Sequence, residues 1–137
     1  MNDLLNLHSE ITKKVIGCAM KVHSVLGNGF QEIIYQRALA IEMKYENISF
    51  VQEFEMPIYY RDELIGRRRV DFLVEECVSV EIKAIKELDN SHLAQGKNYL
   101  EAYDLEIGLL LNFGSTSLQY KRLFNDKVKK KKVGENI

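Results

Sequence analysis

Arg69-Val70-Asp71-Phe72-Leu73-Val74, a short acidic break, and then Val78-Ser79-Val80-Glu81-Ile82-Lys83 read as two β-strands joined by a tight connection. Strand side chains alternate between faces, so Glu81 and Lys83 point the same way. Asp71 joins them only if it lies opposite Glu81 on an antiparallel neighbour. That register sets Val74 against Val78 and leaves Glu75, Glu76 and Cys77 as the loop, an ordinary hairpin length. An even-numbered loop without a bulge would send the two acids to opposite faces. Two carboxylates and an ammonium among buried aliphatic residues are costly unless they have partners or a task.

Upstream, Phe50 to Tyr60 is rich in aromatic and β-branched residues, and Pro57 marks an edge or an irregularity. Arg61-Asp62-Glu63 makes a turn into a strand from Leu64 to Val74, where Gly66 suggests a bulge or bend. Arg67, Arg68 and Arg69 are consecutive, so at least one projects to each face. Further upstream, Ile11, Val15, Cys18, Ala19, Val22 and Leu26 recur at three and four, the stripe of a helix from Leu7 to Leu26. Asn6 is the expected cap and Gly27-Asn28-Gly29 the stop. His8 and His23 read as boundary side chains of this helix. A second helix, from about Phe30 to Tyr45, places Ile34, Ala38, Ile41 and Tyr45 on one face, with charge interspersed.

Downstream, Leu88 to Tyr103 is helical, capped by Asp89 or Asn90, with Leu93, Gly96, Leu100 and Tyr103 inward and Gln95 and Tyr99 on an adjoining face. Glu106 to Asn112 is nearly all apolar, the mark of a strand covered on both sides. Leu118 to Phe124 alternates as a last, peripheral strand. The order predicts an α/β chain: a mixed sheet of about five strands with helices on both faces, and a right-handed crossover from the Glu81 strand to the Leu109 strand.

The 137 residues fit one domain, expected over 1–126, followed by a basic tail over 127–137. Hydrophobic content of 46% with 28% charged residues is that of a globular chain, not a disordered one. A net charge of −1 argues against a positive coat for polyanions but leaves room for a local basic groove. The two cysteines have no metal-type spacing and read as reduced thiols of a cytoplasmic protein. No basic-then-apolar leader and no membrane-length apolar run is visible, so no membrane is expected. No glycine-rich phosphate loop is present, and neither a nucleotide nor an organic cofactor is expected.

Asp71, Glu81 and the Ile82 carbonyl would suffice for magnesium, a hard cation that keeps several waters. Such an ion polarises a phosphodiester oxygen and lowers the pKa of a bound water. Lys83 could orient that water or neutralise developing charge. Gln95 could hold the water or a phosphate oxygen. Glu32, in the first turn of the second helix, either complements the helix dipole or adds a metal ligand.

Asp71 followed by Glu81-Ile82-Lys83 resembles the signature of the PD-(D/E)xK nuclease superfamily, with Val70 where the signature has proline. Gln95-Gly96-Lys97-Asn98-Tyr99 is similar to the QxxxY element of some of its branches. Gly29-Phe30-Gln31-Glu32-Ile33-Ile34-Tyr35 resembles the motif that names the GxxExxY family within it. The likeness runs from about His8 to Arg122. It implies a restriction-endonuclease-like three-layer fold, Glu32, Asp71 and Glu81 as metal-binding acids, and Lys83 as catalytic lysine.

The expected function is therefore divalent-metal-dependent hydrolysis of DNA, with Mg2+ as cofactor and Mn2+ as a substitute. Arg67, Arg69, Lys86, Lys97 and Tyr99 are the candidate nucleic-acid contacts, and phosphate pairing would make binding salt-sensitive. Cutting both strands of a duplex suits a two-fold homodimer. The competing function is a non-catalytic binding or interaction module that keeps its acids as a structural cluster. Metal binding lost in Asp71→Ala separates the two.

Overall fold

Val78, Val80 and Ile82 alternate with Ser79, Glu81 and Lys83, and that period of two builds the central strand of the sheet. The computed structural model describes residues 3–127, with side chains from His8 onward. The elements are α1 (Asp3–Leu26), α2 (Glu32–Tyr45), β1 (Phe50–Tyr60), β2 (Glu63–Val74), β3 (Val78–Lys83), α3 (Asn90–Tyr103), β4 (Ile107–Asn112) and β5 (Gln119–Phe124). All five strands form one sheet in the order β1-β2-β3-β4-β5. β3 and β4 run parallel, joined through α3, and every other neighbouring pair is antiparallel. Val74 pairs with Val78, Leu73 with Ser79 and Phe72 with Val80, so Glu75, Glu76 and Cys77 form the loop.

One face of the sheet carries Phe72, Val74, Val78, Val80, Ile82, Leu109 and Leu111 against Val15, Ala19, Val22, Leu39 and Met43 of α1 and α2. The other packs Met56, Val70 and Leu105 against Leu100 of α3. β4 is buried at all six positions because helices cover both of its sides. The fold is a three-layer α/β sandwich around a mixed sheet, consistent with the restriction-endonuclease-like class. β1 lies at the sheet edge, which frees the Pro57 position from a second ladder. Near Gly66 the register slips, Ile58 facing Gly66 and Tyr59 facing Leu64, so Ile65 is the extra residue.

One local expectation is corrected: α1 begins by Asp3, so Asn6 lies inside the helix rather than capping it. In α2 the inner face is Tyr35, Leu39 and Met43, each fully buried, whereas Ile41 is 55% and Tyr45 78% exposed. Apolar residues surround this helix, so their spacing does not select a face. The Tyr35 ring does: it stacks on Phe113 with centroids 4.6 Å apart. Its hydroxyl donates to the Gly27 carbonyl at 2.6 Å and accepts from the Phe30 amide at 3.0 Å. The ring thus pins the α1–α2 loop to the end of β4. Of the expected basic tail, all beyond Lys127 lies outside the described residues.

Candidate active site

The alternation of β1 and β2 fails at one level of the sheet. Phe50 and Phe72 pack on the side of α1 and α2, and their rings meet edge to face. Phe54 and Met56, four and six residues after Phe50, and Val70, two before Phe72, pack on the α3 side although each offset is even. Phe54 pairs with Val70 and Gln52 with Phe72, while Glu53 and Asp71 between them form no pair. Glu53 takes a left-handed φ of 53°, which resets the pleat.

Asp71 is thereby turned out of the plain strand pattern. The β2–β3 ladder ends at Phe72 and Val80, and the Ile82 amide beyond it donates to Asp71 Oδ2 at 2.7 Å. Gln36 of α2 donates to Asp71 Oδ1 at 2.8 Å and accepts from Gln52 at 2.8 Å. A chain of amides therefore fixes one carboxylate at the point where two strands part.

Glu81 stands beside it. Burial pushes its carboxyl up to about 7; Arg68 opposes the rise, Asp71 adds to it by like charge and a hydrogen bond between the carboxyls, and Lys83 holds it down. Arg68 Nη2 donates to Glu81 Oε1 at 2.5 Å. The guanidinium carbon lies 3.9 Å from the centroid of the Tyr99 ring, which stacks on Tyr103. Burial raises the Tyr103 phenol to about 12, and its hydroxyl has no hydrogen-bond partner among the described residues. A cavity of about 20 Å³ adjoins Ser79, Glu81, Tyr99 and Tyr103, room for about one water.

The structure thus brings together Asp71, Glu81 and the Ile82 backbone, with Lys83 near enough to act on Glu81. Glu32 is exposed at the start of α2 and makes no hydrogen bond or ion pair with a described residue. Among the described residues no group of three His, Cys, Asp or Glu side chains is placed to hold a metal. Gln95, Arg67, Lys86 and Lys97 are exposed. Arg69 is drawn to Glu53 and Glu55 across the β1–β2 pair. Tyr99 is the seat of Arg68.

The hydrogen bonds of Gln36, and the choice of Arg68 from its run of three, were not legible in the sequence. The one available signal for Gln36 is its place four residues after Glu32, on the same side of α2. His23 donates to the Ser115 carbonyl at 3.0 Å and His8 is buried near Glu106, so both are structural. The donor set fits a hard cation: the Asp71 carboxylate stands beside a buried Glu81 carboxyl whose charged form burial disfavours.

The family model of the PD-(D/E)XK nuclease superfamily matches residues 9–123. No curated protein matches the chain. Among solved structures, SSO0001 is similar in fold, with a TM-score of 0.53 and 18% identity over 69% of this chain and 50% of that one. The chain thus spans half the length of that protein.

Proposed function

The chain belongs to the PD-(D/E)XK nuclease superfamily, and on that basis we propose that it hydrolyses phosphodiester bonds in DNA with Mg2+, for which Mn2+ substitutes. The observation that carries this reading is the meeting of the Asp71 and Glu81 carboxyls at the end of the β2–β3 ladder. Asp71, Glu81 and the Ile82 carbonyl would hold the ion, which when bound supplies a water of lowered pKa and a polarised phosphate oxygen. Lys83 orients the attacking water and offsets charge that grows on the phosphate. Gln95 holds the water or a phosphate oxygen from α3. Glu32 would add a ligand from the helix that already supplies Gln36, which requires its exposed side chain to turn toward Asp71. Arg67, Arg69, Lys86, Lys97 and Tyr99 face the nucleic acid in this reading.

We also propose that the chain belongs to the GxxExxY branch, a reading supported by Gly29, Glu32 and Tyr35. The contacts of Tyr35 give that motif a physical sense: its tyrosine anchors the loop from which the glutamate helix starts. A second reading, a non-catalytic module, draws support from the Arg68–Glu81 pair and the amides on Asp71, which satisfy the two acids without metal. Calorimetry with Mg2+ and Mn2+ on wild type and Asp71→Asn, followed by assays on linear, nicked and branched DNA, decides between them. Asp71→Asn is expected to lose the metal heat and at least about 100-fold in rate, roughly 2.7 kcal/mol. Wild type with neither heat nor cleavage would leave the module.

A further inference from the structure

Arg68 meets the same carboxylate that the metal reading needs, and it does so from a built seat. One nitrogen donates to Glu81 at 2.5 Å, another reaches the Arg69 carbonyl at 3.3 Å, and the guanidinium lies over Tyr99. The seat leaves the guanidinium incompletely served, because its Nε is buried without a partner among the described residues. A fork of five donors that meets one carboxylate oxygen and one distant carbonyl has capacity to spare, and a phosphate accepts two such bonds in parallel.

The charges point the same way. Asp71 and Glu81 are matched by Arg68 and Lys83, so the free site has no net negative charge with which to attract a dication. A guanidinium at hydrogen-bond distance from a ligand oxygen repels a doubly charged ion at short range in a poorly solvated setting.

We propose that Arg68 is the resident counter-cation of Glu81 and moves to a phosphate of the bound nucleic acid, so that metal and phosphodiester load together. This rests on the metal site proposed above. Tyr99 keeps the guanidinium over its ring during the exchange, and Arg68 thereby sets metal affinity as a positioning residue. Arg67 and Arg69, exposed on the flanks, lack this link between carboxylate and aromatic ring.

The test is titration of Mg2+ into wild type, Arg68→Met, Arg68→Lys and Asp71→Asn by calorimetry, alone and with a phosphorothioate-linked DNA duplex that resists hydrolysis. Without DNA, Arg68→Met is expected to bind Mg2+ at least about tenfold more tightly than wild type, and Arg68→Lys to stay near wild type. The duplex should tighten Mg2+ binding to wild type and change Arg68→Met little. An Arg68→Met variant that binds Mg2+ no better than wild type overturns the proposal while Asp71→Asn abolishes binding, and the metal site then stands. If Asp71→Asn binds Mg2+ like wild type, the site itself is wrong and the role of Arg68 falls with it. Should Arg68→Met not fold, the Arg68 Nε–H resonance of wild type, assigned through Arg68→Lys, gives an independent answer. It shifts on joint addition of Mg2+ and duplex if the exchange occurs, and an unmoved signal refutes it.

Discussion

Burial, opposed by Arg68 and aided by Asp71, raises the Glu81 carboxyl to about 7 from an ordinary value of 4.5. The folded protein therefore holds a proton there that the unfolded chain releases at lower pH. A raised carboxyl contributes stability that is fully present below about 4.5 and is lost as the pH climbs to about 7. Glu81→Gln removes the titration and keeps an oxygen for Arg68. At pH ~8 it should be roughly 1–3 kcal/mol more stable than wild type, and the gap should close near pH ~4. Urea unfolding at the two pH values measures it, and a gap of equal size at both would contradict the assigned cause. Gln36 presents a different case, a buried neutral amide with both ends engaged. Gln36→Leu leaves Asp71 Oδ1 without its donor, whereas the exposed Gln52 amide turns to water, and it should cost about 1–3 kcal/mol in the same assay.

Among the elements, glycines report how closely neighbours approach. Gly17 lies in α1 with open space around its Cα, so Gly17→Ala should stabilise by about 0.5–1 kcal/mol through helix propensity. Gly114 follows β4, and a Cβ there would strike the backbone of Ile85, including its carbonyl oxygen. Gly114→Ala should lower stability by at least about 2 kcal/mol, because backbone cannot yield as a side chain can. Thermal melts of the two variants should move in opposite directions.

These elements also show what the sequence discloses. β3 was readable from its alternation, β4 from its unbroken apolar run and the β2–β3 register from the length of the loop. Each is a local pattern with one sterically sound outcome. The inner face of α2 was not readable, since apolar residues on every side leave tertiary contacts, chiefly Tyr35 on Phe113, to choose it. Nor were the partners of the acids. The pleat is reset by a left-handed Glu53, a residue with no propensity for that conformation, and only the assembled sheet shows that Asp71 meets Gln36 while Glu81 meets Arg68.

Across the whole molecule, the net charge of −1 means that any attraction for DNA comes from where cations gather rather than from their number. Arg67, Lys86 and Lys97 are exposed and make no ion pair with a described residue. If all three contact phosphates, the affinity for duplex should fall with a log–log salt slope of about −3. Lys86→Ala with Lys97→Ala should bring that slope up by about two. Fluorescence anisotropy at several salt concentrations measures both, and a slope unchanged by the double substitution would remove these lysines from the interface.

The loop Glu75–Cys77 carries two non-glycine residues at positive φ and touches neither acid. It specifies a length and not an identity. Replacing its residues by ones that tolerate those φ values is expected to leave Val74 against Val78 and the two carboxyls together. Gaining or losing a single residue would turn β3 over, sending Ile82 toward α3 and Glu81 into the hydrocarbon beneath α1 and α2. The spacer is thus a ruler: the proposed chemistry needs Asp71 and Glu81 side by side, and whether they meet depends on a count.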